Sequence, residues 1–250
     1  MSTMSRQAII VQARTGSTRL PGKMIKDFHQ GKSLLEIILR KLPSNVDVIL
    51  ATTTSDVDTA LCDIAERLGV KVYRGSEENV LSRFIEAAEL FNVQTIVRVC
   101  ADNPFLNIEL LERLLTEYNG EDYLSYRLPN GKPTILGHLG IFCEVTSLSA
   151  LKVVAESTSD KLYLEHVTNY LYTHPNNFTI RLMDLPSDLV DFEDLRLTVD
   201  TEEDFKITSE LYARFGDVSR LEDAIELVKY IGSNSVILSA MQNEIKNNSK

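Results

Sequence analysis

The 250-residue sequence predicts an α/β protein, a mostly parallel β-sheet flanked by helices. Three observations lead to this prediction. Short β-branched apolar runs alternate with stretches in which apolar residues recur at helical spacing, which is typical of βαβ units. The composition, 44% hydrophobic and 25% charged, is that of an ordinary folded protein. The length favours one domain over two, so we expect a single domain over residues 1–250.

The first 120 residues contain four strand–helix repeats. Strands are predicted over 8–12, 46–52, 70–75 and 94–101, and helices over 33–42, 56–69, 79–92 and 107–119. Asp56 is expected to cap the second helix and Gly69 to end it. The loop after each parallel strand lies at the carboxyl edge of the sheet, where open α/β sheets bind ligands.

After residue 120 the alternation loosens. A small β excursion is predicted over 121–145, with strands at 122–126 and 137–145 around an Asn130-Gly131 turn. Further helices are predicted over 146–157, 160–173 and 201–215, a strand over 176–183, a short buried strand over 195–199, and a helical tail. Thr201 and Asp204 have the spacing of a helix N-cap pair. The acidic stretch 184–194 is expected to be a solvated loop or, alternatively, a lid.

Charge and composition exclude several function classes. The net charge of −10 argues against a general nucleic-acid binder. The first 26 residues nevertheless hold five basic residues and no acidic one, which indicates a small polyanionic ligand there or a chance cluster on a solvated surface. There is no apolar run of membrane-spanning length and no signal-type segment, so we expect no membrane association and a cytoplasmic location. Three scattered cysteines predict neither disulfides nor a zinc site.

The loop after the first strand gives the strongest functional signal. Residues 16–23 combine small residues, hydroxyls and the cations Arg19 and Lys23, and Arg14 precedes them. Guanidinium and ammonium groups complement phosphate oxygens, so the loop is predicted to bind a polyphosphate. It matches neither GxxxxGK[ST] nor GxGxxG. The alternative is a Gly/Pro turn with solvated charges.

Two aspartates follow predicted strands. Asp102 comes after the strand 94–101 and Asp200 after the strand 195–199, so both are expected at one edge of the sheet. Mg²⁺ in phosphate sites takes one or two carboxylates, with water and substrate phosphates as its other ligands. We therefore expect Mg²⁺ on Asp102 and Asp200. Alternatively, Asp200 only caps the following helix and Asp102 only begins a turn.

At these residues the chain resembles a known family. IIVQARTGSTRLPGKMI (9–25) is similar to the signature loop of the CMP-sugar synthetases, the cytidylyltransferases that activate 3-deoxy-ulosonic and nonulosonic (acylneuraminate) acids. The branch it resembles most is called spore coat polysaccharide biosynthesis protein F. Similar blocks follow in the family's order at 73–89, 96–105, 164–172 and 196–205. The resemblance implies a Rossmann-like (GT-A-like) nucleotidyltransferase sheet with CTP as donor and an acidic sugar as acceptor.

The resemblance also implies roles for individual residues. Catalytic roles fall to Arg14, Lys23, Asp102 and Asp200, the two aspartates as Mg²⁺ ligands. The implied nucleotide-binding residues are Ala13, Arg14, Gly16, Ser17, Thr18, Arg19, Lys23, Arg74, Gly75, Ser76, Arg83 and Cys100. The implied acceptor-side residues are His138, Glu165 and His166, within a region, 121–183, that is also a candidate for dimerisation. For Glu165 the alternative is a surface pair with Lys161, and for His138 a structural hydrogen bond. We expect a homodimer, as is common in the family, with an apolar patch at 236–241 that completes the core or contacts a second subunit.

The chain departs from the family's pattern near the acceptor. Ala101, Asn103 and Asn107 stand where the branch usually has Gly, Cys and Asp, and Cys100 stands where the octulosonate enzymes have Gln. The expected function is Mg²⁺-dependent transfer of CMP from CTP to an acidic sugar, with release of pyrophosphate, for surface polysaccharide or glycan synthesis. Two alternatives remain, a nucleotidyltransferase that uses a phosphorylated acceptor and a non-catalytic nucleotide-binding partner. The acceptor and the general base stay unassigned.

Overall fold

The computed structural model describes residues 6–192 and 195–248, which form one α/β domain around a seven-stranded sheet. Its strands are β1 Gln7–Gln12, β4 Asp47–Thr53, β5 Lys71–Gly75, β6 Thr95–Cys100, β7 Tyr123–Arg127, β8 Glu144–Ser147 and β9 Ile180–Asp184. A separate small hairpin consists of β2 Asp27–His29 and β3 Lys32–Ser33. The order across the sheet is β5-β4-β1-β6-β8-β7-β9, and β8 alone runs against the others. The predicted mostly parallel sheet is confirmed.

Helices cover both faces of the sheet. They are α1 Leu34–Lys41, α2 Thr59–Arg67, α3 Val80–Leu90, α4 Ile108–Glu117, α5 Leu148–Ser157, α6 Lys161–Glu165, α7 Asn169–Thr173, α8 Glu202–Phe215, α9 Leu221–Ser233 and α10 Ser235–Asn247. Successive residues of β1 enter opposite cores, with Ile9 and Val11 on one side and Ala8 and Ile10 on the other. A strand that is buried on both faces has a continuous apolar run in its sequence. Such runs, alternating along the chain with helical segments, therefore indicated parallel strands.

Helix capping follows the sequence in one case and departs from it in another. Thr201 and Asp204 form the reciprocal capping box predicted at the start of α8. Asp56 does not cap the second helix, because it lies in a short 3-10 turn, Asp56–Asp58, that precedes α2. The residue directly before α2 is Asp58, and its carboxylate turns away from the helix towards Thr15.

Two predicted strands are wrong. The strand predicted over 137–145 exists only from Glu144, and LRLTV, 195–199, is extended and buried but is not a strand. The two segments bond to each other instead, with the amides of Leu197 and Thr198 donating to the carbonyl of His138. Gly140 allows this approach, because its φ is +63° and a Cβ there would lie 3.0 Å from the Thr198 side chain.

The helix predicted over 160–173 is broken into α6 and α7. The break places Val167 in the core and lets the Thr168 hydroxyl donate to the buried Glu144 carboxylate at 2.9 Å. A polar group inside the core needs a partner, so this bond accounts for the interruption. In the acidic stretch, Leu189 is buried within a 3-10 turn, Ser187–Phe192, while residues 193–194 lie outside the described residues.

The C-terminal apolar patch mostly completes the core. Met241 is buried, and Ile237 and Leu238 pack against the same cluster, whereas Val236 is exposed. The homodimer stays a prediction. Of the helices described, none has the length and apolar character that crossing a membrane requires.

Candidate active site

A cavity of about 660 Å³ lies at the carboxyl ends of β1 and β6. Its residues come from the loop after β1, the turn after β6, the segment between β7 and β8, the α6–α7 region and the approach to α8. Of the residues predicted for the site, those that line the cavity are Ala13, Arg14, Ser17, Thr18, Arg19, Lys23, Cys100, Asp102, Asp200, Glu165 and His166. The sheet edge therefore brings together most of the loop and both aspartates.

The loop after β1 is shaped by its own backbone. The carbonyl of Thr15 accepts from the amides of Ser17 at 2.8 Å and Gly22 at 3.0 Å, which closes the loop on itself. Gly22 has a φ of +71°, a conformation that suits glycine. Leu20 and Met24 are buried and hold the loop against the core, while Ser17, Thr18, Arg19 and Lys23 line the cavity.

Lys23 lies between the two predicted metal ligands. Its Nζ is 3.3 Å from Asp102 Oδ2, 3.3 Å from Asp200 Oδ1 and 2.5 Å from the carbonyl oxygen of Val199, to which it donates. The side chain is nearly buried, as is that of Asp200. The Lys23 ammonium thus lies between the carboxylates of Asp102 and Asp200, at a position that favours a positive charge.

Asp200 is held from its other side by a buried network. Arg196 is fully buried and donates to Asp200 Oδ2 at 3.1 Å and to both oxygens of Asp204. Arg19, at the cavity rim, lies 3.3 Å from Asp200 Oδ1. Asp200 is therefore oriented towards the cavity and does not cap α8, a role that belongs to Thr201.

The donor set fits Mg²⁺. Within the described part of the chain, no three His, Cys, Asp or Glu side chains gather as a metal site, so the candidate ligands that face each other across Lys23 are the pair Asp102 and Asp200. Hard carboxylate oxygens are suitable Mg²⁺ ligands, and the ion commonly completes its shell with water and phosphate oxygens. The Lys23 ammonium already holds a positive charge between them, so a dication there must displace it.

We expect Lys23→Met to bind a divalent cation more tightly in the absence of nucleotide, by about tenfold, because a competing positive charge 3.3 Å from each carboxylate is removed. Titration with Mn²⁺ followed by electron paramagnetic resonance measures this. The matched control is Lys26→Met, which removes an exposed lysine paired with Glu202. Equal Mn²⁺ affinity in the Lys23 variant and the wild type would contradict this interpretation.

The far half of the cavity is built on a buried ion pair. Arg98 Nη1 donates to Glu144 Oε2 at 2.5 Å, directly across the β6–β8 pairing, and Nη2 donates to Gln12 at 3.3 Å. The remaining Glu144 oxygen accepts from Tyr123 and Thr168. Glu144 is therefore saturated, whereas the Nε of Arg98 has no hydrogen-bond partner. Arg98 offers donors to whatever occupies this half.

Two further polar atoms of cavity-lining residues are buried without a partner, the amide oxygen of Asn103 and the hydroxyl of Thr198. Buried polar groups are normally satisfied, so such atoms indicate a polar ligand or ordered water. Arg98 Nε is a hydrogen-bond donor, the Asn103 amide oxygen is an acceptor, and the Thr198 hydroxyl can be either. That set suits a ligand rich in hydroxyl or carboxylate oxygens.

The predicted acceptor-side residues divide into two groups. Glu165 lies 3.7 Å from Arg14 Nη2, so its salt-bridge partner is in the loop, and His166 also faces the cavity. His138 is buried, its Nδ1 lies 2.9 Å from Arg196 Nη1, and it is outside the cavity lining.

The block at 74–83 lies beside the loop and not in the cavity wall. Arg74 donates to the carbonyls of Thr53 and Ser55, and Ser76 accepts from the amide of Asn79. Gly75 lies so close to Arg83 that a Cβ would be 3.0 Å from its Cγ. Gly16 also lies outside the lining, facing this block.

Arg83 is the most unusual residue of this block. It is fully buried on α3, and none of its three guanidinium nitrogens has a hydrogen-bond partner. Burial lowers the pKa of Arg83 and the charge of Arg14 lowers it further, while Asp58 and Glu77 act in the opposite direction. A buried guanidinium without partners is unfavourable unless a ligand supplies oxygen atoms.

Sequence reasoning did not single out several residues that line the cavity. They are Gln12, Arg98, Glu144, Thr168, Asn169, Tyr172 and Thr198. One signal was present, because residues 98, 100 and 102 alternate along one face at the end of β6 and the last was already a candidate. The Glu144 partnership depends on the β6–β8 register, which the sequence does not reveal.

Comparison with known proteins agrees with this geometry. The sequence profile of the cytidylyltransferase family matches residues 8–244. This chain is a member of the cytidylyltransferase family. A relative from Methanocaldococcus jannaschii without an assigned function is 35% identical over 240 residues, covering 94% of this chain and 93% of its own length. The spore coat polysaccharide biosynthesis protein SpsF of Bacillus subtilis is 32% identical over 235 residues, covering 90% and 93%.

A solved structure extends the likeness to three dimensions. A cytidylyltransferase from Leptospira borgpetersenii superposes with a TM-score of 0.76 at 26% identity, covering 96% of this chain and 98% of its own. The resemblance to cytidylyltransferases stated from the sequence is therefore confirmed.

Proposed function

We propose that this cytidylyltransferase transfers CMP from CTP to the hydroxyl of a small acidic sugar, of the 3-deoxy-ulosonic or nonulosonic class, and releases pyrophosphate. One observation supports the proposal above all others: the cations of the β1 loop and the carboxylates of Asp102 and Asp200 meet in one cavity. Cationic side chains bind a triphosphate, and paired carboxylates hold the metal that accompanies it. Family membership favours cytosine as the base, and the likeness to a spore coat polysaccharide protein favours surface polysaccharide synthesis.

Each residue then has a task that follows from its position. Arg14, Arg19 and Lys23 bind phosphate oxygens, and a metal held by Asp102 and Asp200 would leave the Lys23 ammonium available to the triphosphate. Asp102 and Asp200 would hold Mg²⁺, which when bound offsets the negative charge that develops on the phosphates. Positioning and charge neutralisation are the main contributions of a protein to such transfers.

The acceptor occupies the half of the cavity that contains Arg98. Its hydroxyl oxygen forms the new bond to the α-phosphorus, the bond from that phosphorus to the bridging oxygen breaks, and the electron pair leaves with pyrophosphate. The spare donors of Arg98 suit a carboxylate or several hydroxyls at the far end of the acceptor. The hydroxyl proton is released to solvent, so the products are the CMP-sugar, pyrophosphate and one proton.

Pyrophosphate release with CTP, Mg²⁺ and a panel of 3-deoxy-ulosonic and nonulosonic acids tests the proposal. ATP, GTP and UTP, and then sugar phosphates, serve as counter-panels. We expect release with CTP and at least one acidic sugar. Release only with a sugar phosphate would contradict the proposed acceptor class, and CTP binding without any release would favour a non-catalytic role.

A further inference from the structure

We propose that Asp58 is the positioning residue that sets the shape of the phosphate-binding loop, and thereby the affinity for the triphosphate. The inference rests on the proposed function, since it concerns how the same loop binds CTP. Asp58 lies outside the cavity, and its hydrogen bonds to the loop go to Thr15, which is buried at the base of the loop and also lies outside the cavity lining. It therefore acts through Thr15.

The Asp58 carboxylate bridges two elements, one with each oxygen. Oδ1 accepts from the amide of Thr15 at 2.7 Å and from its hydroxyl at 2.6 Å. Oδ2 accepts from the hydroxyl of Thr52 at 3.2 Å, and from the amide of Thr53 at 3.3 Å and its hydroxyl at 2.5 Å. One oxygen thus holds the loop and the other holds the end of β4.

The loop bonds continue from Thr15 to the catalytic side chains. The Thr15 carbonyl accepts the amides of Ser17 and Gly22, and Gly22 immediately precedes Lys23. A shift of Thr15 would therefore move the hydroxyl of Ser17 and the start of the Lys23 side chain together. Displacements of about 1 Å in a positioning element can reduce catalysis about a hundredfold.

The network is charged and buried, which gives it rigidity. Asp58 is 1% exposed. Burial alone raises the pKa of a carboxyl, but the hydrogen bonds from Thr15, Thr53 and Thr52 outweigh it and hold the pKa of Asp58 below its usual value. Hydrogen bonds to a charged acceptor are stronger than neutral ones, so the ionised carboxylate suits a clamp.

A matched pair of variants separates positioning from stability. Thr15→Val removes a hydroxyl from the loop side of the carboxylate, and Thr52→Val makes the same chemical change on the strand side. Both residues are buried, so both variants should lose similar stability. Only Thr15→Val alters the attachment of the loop. Asp58→Asn removes the negative charge. It also replaces one of the two accepting oxygens by an NH₂ group, which cannot accept the hydrogen bonds that Thr15, Thr52 and Thr53 donate.

Isothermal titration of CTP, and separately of inorganic triphosphate, into each folded variant tests the proposal, with circular dichroism confirming the fold. We expect Thr15→Val and Asp58→Asn to bind both probes at least about tenfold more weakly, and Thr52→Val to stay within twofold of the wild type. If folded Thr15→Val bound both probes with wild-type affinity, the inference about Asp58 would be overturned, while the proposed function would stand. Equal losses in Thr15→Val and Thr52→Val would assign the carboxylate a purely structural role. A wild-type protein that binds neither probe would overturn the proposed function as well.

Discussion

Asp200→Asn is expected to reduce pyrophosphate release with CTP by about a thousandfold or more, while the melting temperature changes by only a few degrees. Asp200 is in contact with three cations, Lys23, Arg19 and Arg196, and it faces the cavity. An amide of the same shape keeps the packing but removes the charge that a metal needs. Steady-state rates and thermal denaturation measured on the same samples give both quantities.

The control for this variant is Glu202→Gln. Glu202 lies two residues further along at the start of α8, is exposed and pairs only with Lys26 among the described salt bridges. The variant Glu202→Gln removes one negative charge close to the site, but Glu202 does not line the cavity. The activity of this variant should therefore stay near that of the wild type. Unchanged turnover in Asp200→Asn would contradict the proposed role of Asp200 as a metal ligand.

Arg83→Met is expected to have opposite effects on stability and on binding. The guanidinium of Arg83 is fully buried without a hydrogen-bond partner, so an apolar side chain of similar length should raise the free energy of unfolding by about 1–3 kcal/mol in the absence of nucleotide. Arg83 lies outside the cavity wall, but the family resemblance implies that it contacts the nucleotide, so we expect the affinity for CTP to fall at least tenfold. Chemical denaturation and calorimetric titration measure the two effects separately.

A conservative variant distinguishes the binding role of Arg83 from packing. Arg83→Lys keeps a positive charge but loses the planar fork of donors, so it should bind CTP with an affinity between those of the wild type and Arg83→Met. A variant Arg83→Met that is less stable than the wild type and binds CTP equally well would contradict this account.

The parts of the fold that local patterns specify were predictable. The apolar run of β1 indicated a strand buried on both faces, and the cap formed by Thr201 and Asp204 followed from their spacing. Both features depend on residues that are neighbours in sequence. The same holds for the loop after β1, which we propose binds phosphate and whose cations and small residues occupy one short stretch.

The parts that depend on distant partners were not predictable. LRLTV looks like a strand, yet its amides bond to the carbonyl of His138 instead of a neighbouring strand. The break between α6 and α7 depends on a bond from Thr168 to Glu144, and Glu144 in turn depends on Arg98. Periodicity cannot reveal such long-range bonds, which is why the acceptor half of the cavity was incompletely predicted.

The half of the cavity that contains Arg98, where we propose that the acceptor binds, should determine which acceptor this chain uses. Its floor is the Arg98–Glu144 pair, and its wall includes Cys100 and the irregular segment that ends at Phe142. The charge of Arg98 is partly neutralised by Glu144, so an acceptor carboxylate would bind through the remaining guanidinium donors. Recognition there should rely on hydrogen-bond geometry more than on net charge.

Phosphorus magnetic resonance of the product tests the central claim most directly. The protein is incubated with CTP, Mg²⁺ and whichever acceptor, acidic sugar or sugar phosphate, supports pyrophosphate release, and the nucleotide product is isolated. Transfer of CMP to a sugar hydroxyl predicts a single phosphodiester resonance that shows no coupling to a second phosphorus. Two mutually coupled phosphorus resonances would show a diphosphate linkage, and would contradict attack by a hydroxyl on the α-phosphorus.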